Sequence, residues 1–136
     1  MSFAMYVLLG EEAPIISTES LALELEHYLR NEECFSLEFD QLPFSADKAL
    51  LLRWDSWRVR VSYETGEAVV EDSKEIARIV GKAATNGLAA IDKRIRLVFG
   101  DDDAQEYTNQ IIYLLDFMRE IPGATIFDPQ QADLLT

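Results

Sequence analysis

The chain has 136 residues, of which 49% are hydrophobic and 27% charged, and it carries a net charge of −13. That length fits one domain, residues 1–136, with a core that needs no staples, and the composition excludes a disordered chain. No apolar run reaches the roughly 18 residues that a membrane-spanning helix needs.

"FAMYVLL", 3–9, is a short run of strand formers and predicts a buried first strand. No basic segment precedes it and Glu11 and Glu12 follow, so it does not read as a signal peptide. Ser17 or Thr18 then caps a helix in which Leu21, Leu25, Tyr28 and Leu29 recur at helical spacing. Glu24, Glu26 and Glu32 point away from that stripe. Cys34, the single cysteine, cannot form an internal disulfide and reads as a small buried hydrophobe. "FSLEFD", 35–40, alternates as a half-buried strand should, and 41–47 reads as loop. "ALLLRW" and "WRVRVSYE" predict a hairpin through Asp55-Ser56, with Trp57, Val59, Val61 and Tyr63 sharing one face.

After Thr65-Gly66, "AVVE" is expected to add a short strand, and Asp72 with Glu75 to cap a helix that ends at Asn86-Gly87. "RIRLVFG" is a strand. Asp103 and Glu106 have the spacing of a helix cap and third helical residue, ahead of a stripe of Tyr107, Ile111, Leu114, Leu115, Met118 and Ile121. The helix stops at Pro122-Gly123, "ATIF" follows as a strand, and Asp128-Pro129 is expected to open a terminal helical turn. The whole predicts an α+β fold, a mainly antiparallel sheet of five to six strands with two to three helices packed on one face.

The charge is unevenly placed. Residues 1–47 carry minus nine, 48–96 plus three, and 97–136 minus seven. Such a chain is repelled by nucleic acid and anionic membranes, and a basic protein would be drawn to it. The plainer reading of the same acidity is solubility.

"FGDDDAQEY", 99–107, concentrates that charge in Asp101, Asp102, Asp103 and Glu106. A calcium loop wants glycine at its sixth position and glutamate at its twelfth; counted from Asp101 these are Glu106 and Ile112, so no metal is expected there. One aspartate is accounted for as a cap, and two are surplus. His27 is the only histidine, too little for a zinc site with one cysteine. Neither G-x-S-x-G nor a glycine-rich phosphate loop occurs, so no catalytic residue or cofactor is expected. Trp54 and Trp57, beside Arg53 and Arg58, read either as a recognition edge or as core tryptophans with solvated arginines. With Glu24 and Glu38 in the other acidic stretch, the candidate partner-binding set is Asp101, Asp102, Asp103, Glu106, Glu24, Glu38, Trp54 and Trp57.

Residues 94–135, "RIRLVFGDDDAQEYTNQIIYLLDFMREIPGATIFDPQQADLL", resemble small acidic bacterial immunity proteins of toxin delivery systems. The resemblance rests on the strand, the acidic turn, the amphipathic helix and the Pro-Gly to Asp-Pro ending. It implies a cytoplasmic chain without enzyme activity that binds and neutralises a cognate toxin. Two alternatives stand beside it: an acidic secretion chaperone for an effector, which typically works as a homodimer, and a small enzyme using paired carboxylates.

Overall fold

A computed structural model of the chain describes residues 2–41, 43 and 48–135, so most of the loop expected over 41–47 lies outside the described residues. Among the described residues, seven strands form one antiparallel sheet: β1 Phe3–Leu9, β2 Phe35–Gln41, β3 Lys48–Trp54, β4 Trp57–Thr65, β5 Lys93–Phe99, β6 Ala124–Asp128 and β7 Asp133–Leu134. Their order across the sheet is β2-β3-β4-β5-β1-β6-β7. The helices are α1 Thr18–Tyr28, α2 Glu67–Val80 and α3 Thr108–Arg119. The fold is α+β, as expected, with one strand more than the sequence foretold.

Alternation along the interior strand β1 divides the core. Met5, Val7 and Leu9 point into a cluster with Leu21, Leu25 and Leu29 from α1 and Leu114 and Met118 from α3. Leu8 points the other way and packs with Ile76 of α2, Leu88 and Phe127. The expectation of helices on one face is therefore corrected: α2 covers the opposite face. Burying both sides of β1 explains why its run is apolar without interruption.

Local sequence accounts for most boundaries. Ser17 and Ser20 exchange side-chain and backbone bonds at 3.0 Å, closing α1 with a capping box. The turn between β3 and β4 is Asp55-Ser56 as expected, with Asp55 at φ 52°, a conformation aspartate tolerates. The α3 stripe buries Leu114 and Met118 and sets Tyr107, Ile111, Leu115 and Ile121 against the same core.

Five local expectations are overturned. "AVVE" belongs to α2, which starts after Gly66 at φ 111°, and Asp72 lies mid-helix rather than at its cap. The helix ends at Gly81, ahead of Asn86-Gly87. Asp128 closes β6, and its carboxylate accepts the Gln130 amide at 2.9 Å in a turn that leads to β7, so no terminal helix forms. Cys34 is exposed, at φ 59° in the turn before β2.

An ion cluster centred on one buried arginine ties α2 to the sheet. Arg94, whose side chain is 8% exposed, donates to Glu64 at 2.8 Å and to Asp72 at 2.7 Å, and its guanidinium lies over the Tyr6 ring. Burial works against the charge of Arg94, and its hydrogen bonds to Asp72 and Glu64 outweigh that, holding its pKa above the ordinary value.

Candidate functional site: an acidic pole over an aromatic floor

The loop after β5 is held against the end of the β3–β4 hairpin by Gly100. Its amide donates to the Arg58 carbonyl at 2.8 Å, and its own carbonyl accepts the Trp57 indole N–H at 3.0 Å. A Cβ at this position would lie 2.9 Å from the Arg58 carbonyl oxygen, so a glycine is needed for this approach.

Asp102 shapes the rest of the loop that leads into α3. Its two carboxylate oxygens accept the amides of Glu106 at 2.8 Å and Tyr107 at 2.9 Å, and its carbonyl accepts the Gln105 amide at 2.9 Å. Gln105 takes φ 56° to make that turn. The cap assigned to Asp103 from its spacing to Glu106 thus belongs to Asp102, one residue earlier. Helix α3 itself begins one turn later, at Thr108, so the carboxylate caps the lead-in loop, not the first helical turn. Asp101, Asp103 and Glu106 are exposed.

Below this loop lies a chain of rings. Tyr107 stacks on Trp57 with centroids 4.6 Å apart and planes 3° from parallel. Trp57 meets Trp54 at 5.6 Å, and Trp54 meets Phe35 at 4.8 Å. Of the two readings of the tryptophans, the core reading holds: Trp54 is 2% exposed and Trp57 4%. They support the loop and do not present themselves to a partner.

Two further acidic segments meet the loop here. Burial raises the pKa of Tyr107, and the charges of Asp55, Glu106, Asp102 and Cys34 raise it further. The Asp55 charge and its hydrogen bond push the Cys34 thiol up, with burial and Glu33 adding to the shift. Glu32 accepts from the Gln110 side chain of α3 at 3.3 Å. The α1–β2 turn, the hairpin turn and the β5–α3 loop therefore gather Glu32, Glu33, Asp55, Asp101, Asp102, Asp103 and Glu106 at one end of the sheet. A shallow hollow of about 400 Å³ opens between Ser56, Arg58, Asp101, Asp103 and Glu106.

The other candidates stand apart. Glu24 is on the outer side of α1, and Glu38 is on the opposite face of the sheet, where Arg53 donates to it at 3.1 Å. Neither lines the hollow. Sequence reasoning missed Asp55 and held Glu32 and Glu33 only within the broad acidic stretch 24–40; the pairing of Phe35 with Trp54 sets Cys34 beside Asp55, which only the β2–β3 register reveals. A second cleft, about 840 Å³, lies at the other end of the sheet beside Glu11, Glu12, Asn86, Asp92 and Lys93. Among the described residues, no three of His, Cys, Asp or Glu are grouped as a metal ion would require, and no helix is long and apolar enough to cross a membrane.

Comparison of the chain with protein-family models, with curated proteins and with solved structures gives no match.

Proposed function

We propose that this protein is a stoichiometric inhibitor of the immunity type, which docks a basic protein toxin on its acidic pole in the cytoplasm and performs no chemistry on it. The observation that carries this reading is the convergence of three separate loops, each acidic, on a single end of the sheet. Carboxylates spread over a surface serve solubility. Carboxylates from three loops focused at one end create a local field that steers a cationic partner and raises its association rate. The aromatic floor favours the same reading, since a surface fixed by Gly100, Trp57 and Tyr107 loses little conformational freedom on binding.

The test is to immobilise the protein, capture partners from source-cell lysate at low salt, elute with rising salt and measure association of the captured protein. A single basic partner, bound one to one, toxic when expressed alone and silenced in the complex, is the expected result. Asp101→Asn with Asp103→Asn should slow its association about tenfold and flatten the salt dependence. An unchanged rate would remove the pole from the interface. A client that keeps its activity while bound would mark a secretion chaperone instead.

A further inference from the structure

The two edges of the sheet differ. Strand β7 is only two residues long, too short to offer a pairing site. Strand β2 pairs all seven of its residues, Phe35 to Gln41, with β3 in unbroken register, and from Phe35 to Asp40 its outer side meets no backbone partner among the described residues. Proteins usually blunt such an edge with proline, a bulge, short length or a charge turned toward the core. This strand has no proline and no bulge, its core-side residues are Phe35, Leu37 and Phe39, and its two charges, Glu38 and Asp40, lie on the other face, neutralised within the chain by Arg53 and Arg60. Phe39 is 50% exposed, and the Lys48 ammonium lies over its ring, 5.7 Å from the centroid.

We propose that β2 pairs antiparallel with β2 of a second copy, about a two-fold axis through Leu37, so that two seven-stranded sheets join into one. The register follows from the side chains. Antiparallel self-pairing sets residues of the same face opposite each other. Centred on Glu38, it would place that carboxylate against its own copy; centred on Phe39, it would set Glu38 against Asp40. Like charges directly opposite are destabilising. Centred on Ser36, it leaves Phe39 beside Glu33. Centred on Leu37, it sets Leu37 on Leu37, Phe35 on Phe39 twice, and Ser36 on Glu38, with no like charges opposed.

Charge complementarity supports the same register. Arg53 lies directly opposite Arg58 on one side and Ser36 on the other. Repulsion from Arg58 and the smallness of Ser36 direct the Arg53 guanidinium toward the open edge, where it already holds Glu38 of its own chain at 3.1 Å. In the joined sheet the residue beyond Ser36 is Glu38 of the second copy, so Arg53 bridges both carboxylates. The net charge of −13 per chain opposes the approach of two copies, so this association strengthens as salt screens it. Docking at the acidic pole weakens with salt, so the two associations separate by the sign of their salt dependence.

The experiment measures mass by light scattering and sedimentation over a concentration series at low salt and at roughly 0.5 M, where exposed charges are screened within a few ångström. The expected result is a monomer–dimer equilibrium that tightens with salt. Phe39→Lys should weaken it at least about tenfold, with circular dichroism unchanged. In a Cys34→Ser background, Leu37→Cys should oxidise to a covalent dimer, because facing cross-strand cysteines lie within disulfide reach. Ser36→Cys, which faces Glu38 of the second copy, should cross-link far less. A monomer at every concentration and salt would overturn the proposal. So would a dimer indifferent to Phe39→Lys that cross-links equally well from positions 36 and 37.

Discussion

Asp102 is the residue on which the geometry of the acidic pole depends, and its replacement by alanine measures that dependence. The substitution removes both acceptors from the amides of Glu106 and Tyr107, now 2.8 and 2.9 Å away. Losing a capping side chain costs about 0.5–2 kcal/mol, and hydrogen bonds to a charged group reach about 1.5–3 kcal/mol each when sheltered from water. Asp102 is half-buried and water can reach the exposed Glu106 amide, so the expected loss is about 1.5 kcal/mol. With a urea slope of about 2 kcal/mol per molar, the unfolding midpoint falls by roughly 0.7 M at unchanged slope. Asp101→Ala and Asp103→Ala, both at exposed positions where water replaces a lost contact, should each cost less than Asp102→Ala. Equal losses at all three positions, or the largest loss at Asp103, would refute this division of labour and restore the cap implied by the Asp103–Glu106 spacing.

Arg94→Met should cost about 1.5 kcal/mol in urea unfolding, because it removes the buried guanidinium from Glu64 and Asp72 while water at the exposed Asp72 and Arg96 beside Glu64 offset part of the loss; no measurable loss would mean that both acids are fully compensated. Burial raises the pKa of Tyr63, with Asp92 adding, and burial followed by Asp116, Glu120 and Tyr113 raises that of Tyr28. The fold therefore favours their neutral forms: that stability is complete below the unfolded value near about 10 and is lost as pH rises through the higher folded values. The urea midpoint should fall as pH rises above about 10, less steeply in Tyr63→Phe, and a flat profile would contradict this. The raised pKa of Cys34 predicts slow reaction with a disulfide reagent near pH 8 despite its exposure, and Asp55→Asn should speed it; equal rates in the two proteins would show that Asp55 does not control the thiol.

Strands with clear alternation were legible from sequence because their apolar side chains fall on one face of the sheet at a period of two. "FSLEFD" and "WRVRVSYE" needed no tertiary information, and the α3 stripe was correct at every position. The start of α2 was hidden by Ser73. That residue lies in the buried stripe between Val69 and Ile76 and satisfies itself by donating to the Ile91 carbonyl at 2.8 Å. A polar residue there breaks the apolar period, and the β-branched pair Val69-Val70 favours a strand locally. Cys34 was misread because composition favours a buried cysteine, whereas the turn before β2 holds it in a left-handed conformation at the surface. At the site, the acidic loop and the aromatic residues could be named in advance. Their roles could not: whether a tryptophan is floor or anchor, and which distant acids share its end of the sheet, depends on strand register across the whole fold.

The position of β1 bears on how the chain reaches this structure. It pairs on one side with β5, Phe3 against Phe99, and on the other with β6, Tyr6 against Phe127. The meander β2-β3-β4 can close through short connections, while the middle of the sheet must wait for contacts between remote parts of the chain. Folding dominated by such distant pairings is slow, because loop-closure entropy is lost before the contacts that offset it are made. Until β1 is in place, β5 and β6 each lack a neighbour, so the edges exposed during folding outnumber those of the finished sheet.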